Sequence, residues 1–295
     1  MNFDEMRQRV ATGEGFIAAL DQSGGSTPKA LKGYGVEDGA WSSDEEMFGL
    51  IHQMRQRIIE SPCFGSGKVI GAILFEKTMD GESGGKGVPA RLAERGVVPF
   101  LKVDKGLEDE KDGVQLMKPM PELEALCTRA KALGVFGTKM RSVIKSANRA
   151  GIEAAVAQQF AEGARILSAG LVPMLEPEYD ITAADRAEGE AMLRDSILAH
   201  LDRVPEGQQV MLKLSIPAEA NLYAPLIAHP KVLRVVALSG GFSTDEACEK
   251  LAQNKGMIAS FSRGLLQDLR HQQSDDEFDG TLGSAIDQIH AASVA

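Results

Sequence analysis

The stretch that decides the fold runs from VVPFLKVD (residues 97–104), through PELEALCTRAKALG (residues 121–134), to FGTKMRSVI (residues 136–144). The two outer pieces are short and mostly apolar, which is typical of strands buried on both faces of a parallel sheet. The middle piece begins at a proline, which suits the first turn of a helix, and ends at a glycine, which suits the position after the last turn. The stretch therefore predicts a strand, a helix and a second strand parallel to the first.

The same alternation continues on both sides of this unit. Capping-box patterns, Ser43 with Glu46 and Ser243 with Glu246, predict the starts of two further helices. The other predicted strands are GFIAALD (15–21), KVIGAILF (68–75), LVPMLEPE (171–178), QQVMLKLSI (208–216), LRVVALSGG (233–241) and MIASFSRG (257–264). Eight strands alternating with helices predict an α/β fold, a single (β/α)8 TIM barrel spanning residues 1–295 as one domain. The alternative is an open, doubly wound sheet.

Composition and charge exclude several classes of protein. The chain has 32 Lys and Arg against 42 Asp and Glu, a net charge of −10, which disfavours binding to nucleic acid or to an anionic membrane. No apolar run approaches the roughly 18 residues of a membrane span, and the first fifteen residues carry charges where a signal peptide is apolar. The three cysteines form no CxxC pair, which favours reduced thiols. We therefore expect a cytoplasmic protein.

Three lysines lie inside otherwise apolar strands. Lys102, Lys139 and Lys213 belong to the third, fourth and sixth predicted strands, and lysine is almost never fully buried without a partner. One such lysine would indicate only a side chain that reaches solvent from a strand tip, but three favour a site at the C-terminal ends of the strands. Crowded, desolvated ammonium groups should lower a lysine pKa toward neutrality. A neutral lysine amine attacks carbonyls to form a Schiff base.

Carboxylates end two of the predicted strands close to these lysines. Glu176 could exchange the protons that imine formation requires. The alternative for Glu176 and Glu178 is a structural ion pair with Lys139 or Arg141. Asp21 begins DQSGGS, which could also be a simple turn.

The last two predicted strands end in residues that suit a phosphate group. Ser239, Gly240 and Gly241 offer unobstructed backbone N–H groups, and Ser262 and Arg263 open a presumed helix whose N-terminus attracts anions. Ser23, Ser26 and Lys29 could hold a second phosphate, with a solvated loop as the alternative. The five histidines are scattered without an HxH or HExxH pair, which disfavours a metal-dependent lyase.

These motifs, in this order, resemble the class I fructose-1,6-bisphosphate aldolases in their shorter bacterial form. The resemblance covers about residues 15–270 and rests on FIAALDQSGGS, AILFEKTM, VPFLKVDKG, GTKMRSVIK, VPMLEPEYD, VMLKLSIP, VALSGGFS and SFSRGLLQ. It implies reversible cleavage of fructose 1,6-bisphosphate to dihydroxyacetone phosphate and glyceraldehyde 3-phosphate, in glycolysis, with no metal and no organic cofactor. It also implies a homo-oligomer.

The resemblance implies a role for each matching residue. Lys213 would be the Schiff-base lysine, Glu176 the acid and base of imine formation with Glu178 close by, and Asp21 the base that takes the C4 hydroxyl proton. Lys139 would tune the charge beside the imine. The implied substrate-binding residues are Lys102 with Asp104 for hydroxyl groups or Lys139, Arg141 in support of phosphate binding, Ser239, Gly240, Ser262 and Arg263 for the C1 phosphate, and Ser23, Ser26 and Lys29 for the C6 phosphate.

The chain departs from the family pattern at several positions. Gln22 follows Asp21 where the animal enzymes have Glu, Met140 replaces a Trp, and Ala30 stands where a basic residue often follows Lys29. The sequence ends in IHAASVA, without the C-terminal tyrosine that assists proton transfer at C3 in the animal enzymes. That step would rely on another group, Glu178 or the phosphate itself. Two alternatives remain: another Schiff-base lyase, acting on a sugar monophosphate or tagatose bisphosphate, and a binding protein without turnover.

Overall fold

A barrel of parallel strands forms the centre of the computed structural model, which describes residues 1–37 and 39–295. Eight parallel strands of these residues follow one another around the barrel in chain order. They are β1 (Phe16–Leu20), β2 (Val69–Leu74), β3 (Val98–Lys102), β4 (Gly137–Ile144), β5 (Val172–Tyr179), β6 (Val210–Ser215), β7 (Val232–Leu238) and β8 (Ile258–Ala259). A hydrogen bond from the Ala19 amide to the Phe261 carbonyl (3.3 Å) joins the first strand to the segment after the last. The predicted TIM barrel and all eight predicted strands are confirmed.

Helices surround the strands. They are α1 (Phe3–Thr12), α2 (Ser26–Gly33), α3 (Asp44–Glu60), α4 (Glu76–Met79), α5 (Val88–Glu94), α6 (Leu123–Ala132), α7 (Arg149–Ser168), α8 (Arg186–Leu201), α9 (Ala224–Ile227), α10 (Thr244–Ala252), α11 (Arg263–Leu266) and α12 (Asp275–Ser293). A 3₁₀ helix (Pro62–Gly65), a hairpin (Glu82–Ser83 with Lys86–Gly87) and a short antiparallel strand (Val114–Gln115) beside the end of β4 complete the elements.

The helix starts predicted at Ser43 and Ser243 are confirmed, but in each capping box only the bond to the serine side chain is formed. Ser43 accepts a hydrogen bond from the Glu46 amide (3.2 Å), as expected of an N-cap. The Glu46 carboxylate, however, accepts from the Ser42 amide (2.6 Å) and hydroxyl (2.7 Å), one residue earlier than the pattern predicts.

Two apolar layers leave one end of the barrel for polar groups. The inner layer consists of side chains that point into the barrel, such as Ile17, Phe100 and Met174, and it includes Met6 and Val10 of α1. The ring of Phe3 in α1 lies 4.8 Å from that of Phe136, just before β4. Helix α1 thus closes the N-terminal end of the barrel. The other end, at the C-terminal ends of the strands, is the mouth of the barrel.

Two predicted strands end earlier than expected. Strand β7 ends at Leu238, so that Ser239, Gly240 and Gly241 form a turn, and β8 ends at Ala259. Arg263, predicted inside the last strand, is the first residue of α11. Both changes place the polar residues in loops at the mouth, where their backbone amides are not used by the sheet.

Candidate active site

Four charged side chains of alternating sign meet inside the mouth. The Lys139 Nζ atom lies 2.7 Å from Asp21 Oδ2 and 2.8 Å from Glu176 Oε2. The other oxygen of Glu176, Oε1, lies 3.1 Å from Lys213 Nζ. All four residues are less than a tenth exposed. The sequence prediction that these residues form one cluster agrees with this arrangement, which we call the charge chain (Asp21, Lys139, Glu176, Lys213).

Strand register explains why distant residues meet. Side chains two residues apart on a strand share a face, so Lys139 and Arg141 of β4 point into the barrel, as do Glu176 and Glu178 of β5. In the ladder between these strands, Arg141 pairs with Glu176, which places the lysine and the glutamate on neighbouring positions of one surface.

The strands β5 and β6 are held at the level of the cluster by a buried hydroxyl. Their ladder pairs only Met174 with Met211 and Leu175 with Leu212. Further toward the mouth, Ser215 accepts a hydrogen bond from the Tyr179 amide (3.1 Å) and donates one to the Tyr179 carbonyl (2.6 Å). The ladder on one side and this pair of hydrogen bonds on the other thus hold β5 and β6 together around the contact between Glu176 and Lys213.

The pKa of Lys139 is raised, not lowered. Burial disfavours its ammonium group, but Asp21 and Glu176 outweigh burial and raise the pKa of Lys139 above its ordinary value. Burial likewise opposes ionisation of Asp21 and Glu176, and Lys139 and Lys213 overcome it, so that the pKa of each carboxyl is lowered. The sequence led us to expect a lowered pKa for a lysine of this cluster; Lys139 is not that lysine, because its ammonium group contacts two carboxylates.

Two more charged pairs line the mouth beside this chain. Arg141 Nε bonds Glu178 Oε2, which is the structural ion pair that the sequence left as an alternative for Glu178. Lys102 Nζ contacts Asp104 Oδ1 at 2.8 Å, and Asp104 Oδ2 accepts from the Arg141 amide at 3.3 Å. Asp104 thus connects the end of β3 to β4. Lys102 is adjacent to Lys139 in the ladder.

The loops after β7 and β8 meet at the mouth. Gly240 and Gly241 have φ angles of +62° and +131°, which favour glycine. A Cβ atom on Gly241 would lie 3.8 Å from Arg263 Nη2, so this guanidinium lies beside the glycine turn. Helix α11 has only four residues, about one turn, so its dipole adds little to the predicted attraction of an anion to its N-terminus. The features that favour an anion here are the Arg263 side chain and the backbone N–H groups of the glycine turn.

The residues predicted for a second phosphate are only partly available. Ser26 Oγ accepts from the Ser23 amide (2.9 Å) and donates to the Ser23 carbonyl (2.9 Å), so this hydroxyl already stabilises the turn. Lys29 is exposed on α2. Ser26 and Lys29 belong to the loop and helix that follow Asp21. Their role in phosphate binding stays a prediction.

One buried residue near the site was not predicted. Arg55 of α3 is 1% exposed and donates from Nη2 to the Gln22 carbonyl at 2.5 Å. The sequence held a signal for it: Arg55 is four residues after Ile51 and three before Ile58, on the apolar stripe of its helix. A charged residue on such a stripe is either a boundary residue or a buried group with a specific partner.

The described residues contain no group of three or more His, Cys, Asp and Glu side chains arranged to hold a metal ion. No helix within residues 1–37 and 39–295 is both long and apolar enough to cross a membrane.

Comparison with known proteins gives concordant matches. The family model described as "Glycolytic: Fructose-bisphosphate aldolase class-I" matches residues 3–217. The chain is 55% identical over 291 residues to "Fructose-bisphosphate aldolase class 1" of Porphyromonas gingivalis, covering 98% of this chain and 99% of that protein. It is 53% identical over 291 residues to the protein of the same name from a Synechocystis species, covering 98% and 97% of the two chains.

Solved structures show the same fold. A fructose-bisphosphate aldolase from Plasmodium falciparum, crystallised with TRAP and a small-molecule inhibitor, superposes with a TM-score of 0.78 at 19% identity, covering 99% of this chain and 94% of that one. The Corynebacterium glutamicum protein Cgl0159 superposes with a TM-score of 0.53 at 13% identity, covering 98% and 92%. At such identities the likeness concerns the fold alone.

Proposed function

The chain belongs to the class I fructose-bisphosphate aldolase family, and from this premise we propose how its mouth cleaves fructose 1,6-bisphosphate into dihydroxyacetone phosphate and glyceraldehyde 3-phosphate. As a class I member it is a metal-independent lyase, and the reaction is reversible. The observation that supports the assignment of individual residues is the charge chain, because it joins two lysines and two carboxylates, all buried, by contacts of 2.7–3.1 Å.

Lys213 is the nucleophile of this proposal. Its ammonium group lies 3.1 Å from Glu176 Oε1, and Glu176 is held as a carboxylate, so the glutamate can accept the proton that Lys213 must lose. The neutral amine then adds to the C2 carbonyl of the substrate. Glu176 returns a proton to the resulting hydroxyl group, which leaves as water, and the nitrogen keeps a positive charge as a protonated imine.

Asp21 is the base for cleavage of the carbon–carbon bond. Its lowered pKa keeps it ionised, so it can take the proton of the C4 hydroxyl. The C4–O bond becomes a carbonyl, the C3–C4 bond breaks, and its electron pair moves toward the imine nitrogen to give an enamine. Glyceraldehyde 3-phosphate leaves. Lys139, which contacts both carboxylates, stays cationic throughout and orients them by two ion-pair contacts.

The enamine must regain a proton at C3 before the imine is hydrolysed. The chain has three tyrosines, Tyr34, Tyr179 and Tyr223, and all are buried in the layer between strands and helices. Their phenols are therefore unsuited to this step, and the proposal keeps Glu178 and the substrate phosphate as its two candidates.

Substrate phosphates bind at both sides of the mouth in this proposal. Ser239, Gly240, Ser262 and Arg263 hold the C1 phosphate, where two loops bring an arginine beside a glycine turn. Ser23, Ser26 and Lys29 hold the C6 phosphate, while Arg141 and Lys102 support the sugar between them. We further propose that residues 1–295 act as one catalytic domain in a cytoplasmic homo-oligomer, as the family resemblance implies.

Borohydride trapping tests the central assignment. The protein is incubated with dihydroxyacetone phosphate and EDTA, reduced with borohydride, digested and analysed by peptide mass mapping. We expect one reduced adduct on Lys213. The Lys213→Met variant should fold, bind phosphosugar and form no adduct.

A matched control is Lys145→Met. Lys145 follows β4 and pairs with Glu110 at 2.8 Å on the surface, so this variant should form the adduct fully. An unmodified Lys213 in protein that binds the ligand, or turnover by Lys213→Met, would overturn the assignment.

A further inference from the structure

Gln22 connects the first and last strands of the barrel at the mouth. Its Nε2 atom donates to Ser262 Oγ at 2.5 Å and to the Ala19 carbonyl at 3.0 Å. The backbone joins this junction by the hydrogen bond from Ala19 to Phe261. The Gln22 side chain therefore links the loop that carries Asp21 directly to Ser262, a residue of the proposed C1-phosphate site.

The orientation of the Gln22 amide is fixed from both ends. Arg55 Nη2 lies 3.3 Å from Gln22 Oε1 and 2.5 Å from the Gln22 carbonyl, and Arg55 Nη1 donates to Thr78 Oγ1 at 2.7 Å. A guanidinium has only donors, so the amide oxygen must face Arg55. A backbone carbonyl only accepts, so the amide nitrogen must face Ala19. The same nitrogen then faces Ser262.

This orientation decides what the Ser262 hydroxyl can do. Because Ser262 Oγ accepts from Gln22, its own hydrogen points elsewhere. Among the residues that the structure describes, this hydrogen has no acceptor. The hydroxyl is thus left as a donor at the loop where the Arg263 side chain lies beside the Gly241 turn. A phosphate oxygen is an acceptor that suits it.

We propose that Gln22, oriented by Arg55, is a positioning residue that directs the Ser262 hydroxyl as a hydrogen-bond donor to the phosphate of the ketose half of the substrate. The inference rests on the proposed function, in which Ser262 holds this phosphate. A carboxylate at position 22 would reverse the bond, since it would accept the Ser262 hydrogen itself and leave none for the phosphate.

The Gln22→Glu substitution loses the donor to the Ala19 carbonyl, now at 3.0 Å, but it gives the Arg55 guanidinium an ionic partner. Arg55 is 1% exposed, and no carboxylate of the described residues lies within ion-pair distance of it. A glutamate at position 22 would supply one, at the position of the present 3.3 Å contact. Thermal unfolding of each variant separates a loss of phosphate binding from a loss of stability.

The test compares two ketones that differ only in the phosphate. Borohydride adduct formation on Lys213 is measured against the concentration of dihydroxyacetone phosphate and of dihydroxyacetone. In Gln22→Glu we expect the half-saturating concentration of dihydroxyacetone phosphate to rise about tenfold to a hundredfold, the range for losing a hydrogen bond to a charged group. The value for dihydroxyacetone should stay the same. Gln8→Glu, which adds the same charge on an exposed face of α1 at the other end of the barrel, should change neither.

A double-substitution series makes the result specific. Ser262→Ala should weaken only the phosphorylated ketone, and adding Gln22→Glu to Ser262→Ala should weaken it by much less than Gln22→Glu does alone. Full additivity, unchanged binding of dihydroxyacetone phosphate, or equal weakening of both ketones would each overturn the inference. Failure of the proposed function is distinguishable, since the unmodified protein would then form no adduct on Lys213.

Discussion

Replacing Lys139 by Met removes the cation that two buried carboxylates share. The methionine keeps most of the apolar stem, but Asp21 loses its contact at 2.7 Å and Glu176 loses one of its two, at 2.8 Å. Glu176 retains Lys213 at 3.1 Å, whereas Asp21 is left buried without a contacting cation. Breaking a buried pair from one side typically costs about 3–5 kcal/mol, because the remaining charge is uncompensated.

The variant can limit this cost by protonating one carboxyl group, and the limit depends on pH. From the ordinary Asp pKa of 3.8, holding one carboxyl neutral costs about 4.4 kcal/mol at pH 7 and about 1.6 kcal/mol at pH 5, at 1.36 kcal/mol per unit. In the unmodified protein the lowered pKa of Asp21 provides stability that is fully present above the ordinary value and is lost only as the pH falls toward the folded value. Its contribution is therefore constant from pH 5 to 7.

In Lys139→Met the dependence of stability on pH has the opposite sign. Burial raises the pKa of the carboxyl that takes up the proton above its ordinary value, so stability is lost as the pH rises through the folded value. The free energy of unfolding of the variant, relative to the unmodified protein, should thus fall by up to about 2.7 kcal/mol between pH 5 and pH 7. Urea unfolding at both pH values measures this difference.

Lys145→Met is the matched control, because it removes a lysine from an exposed ion pair with Glu110. Such a pair is worth about 0–1 kcal/mol, so its loss should be small at both pH values. The reasoning would be refuted if Lys139→Met were as stable as the unmodified protein at pH 7, or if its deficit were the same at pH 5 and pH 7. Cleavage activity should also fall about a hundredfold or more.

Two further predictions concern the strands and the second phosphate. Ser215→Ala removes both hydrogen bonds to Tyr179 (3.1 and 2.6 Å) and should lower the free energy of unfolding by about 1–3 kcal/mol in urea. Ser168→Ala, which removes an exposed hydroxyl bonded only to its own helix, should change it little, and equal effects would contradict the argument. Lys29→Ala, on an exposed face of α2, should raise KM about tenfold for fructose 1,6-bisphosphate but not for fructose 1-phosphate. Equal changes in both KM values would remove Lys29 from the C6-phosphate site.

The barrel could be predicted from the sequence because its strands are buried on both faces. Runs such as VPFLK in β3 and VMLKLS in β6 are apolar except at the lysine and at the last serine of β6, and this makes them recognisable without any tertiary information. The ends of β7 and β8 could not be predicted, because the residue that follows each strand, Ser239 or Ser260, is small and fits a strand or a turn equally well. Helix α1 was also not predicted. Only Met6 and Val10 of this helix are buried, and two apolar residues do not make a recognisable helical stripe.

The composition of the site was predicted, but its connections depend on tertiary packing. The three lysines and Asp21, Glu176 and Glu178 could be found because charged residues inside or at the end of apolar strands are unusual. The roles of Gln22 and Arg55 could not be found in this way. Their contacts join residues 33 and 240 positions apart. The packing of α3 against the β1 loop brings Arg55 to Gln22, and the closure of the barrel between β1 and the segment after β8 brings Gln22 to Ser262.

The raised pKa of Lys139 shows that the residues of a site, without their arrangement, do not determine which of them are ionised. Three lysines in one pocket would repel one another and lower the pKa of each, if nothing lay between them. In the barrel, Glu176 lies between Lys139 and Lys213, Asp21 contacts Lys139 from the other side, and each ammonium of the charge chain contacts a carboxylate instead of another ammonium. Lys139, with two carboxylates, is therefore held as a fixed cation, whereas Lys213 contacts a single carboxylate oxygen. The order of charges thus supports the separate roles proposed for the two lysines: Lys139 orients the carboxylates, and Lys213, with one acid neighbour, is the nucleophile of the proposal.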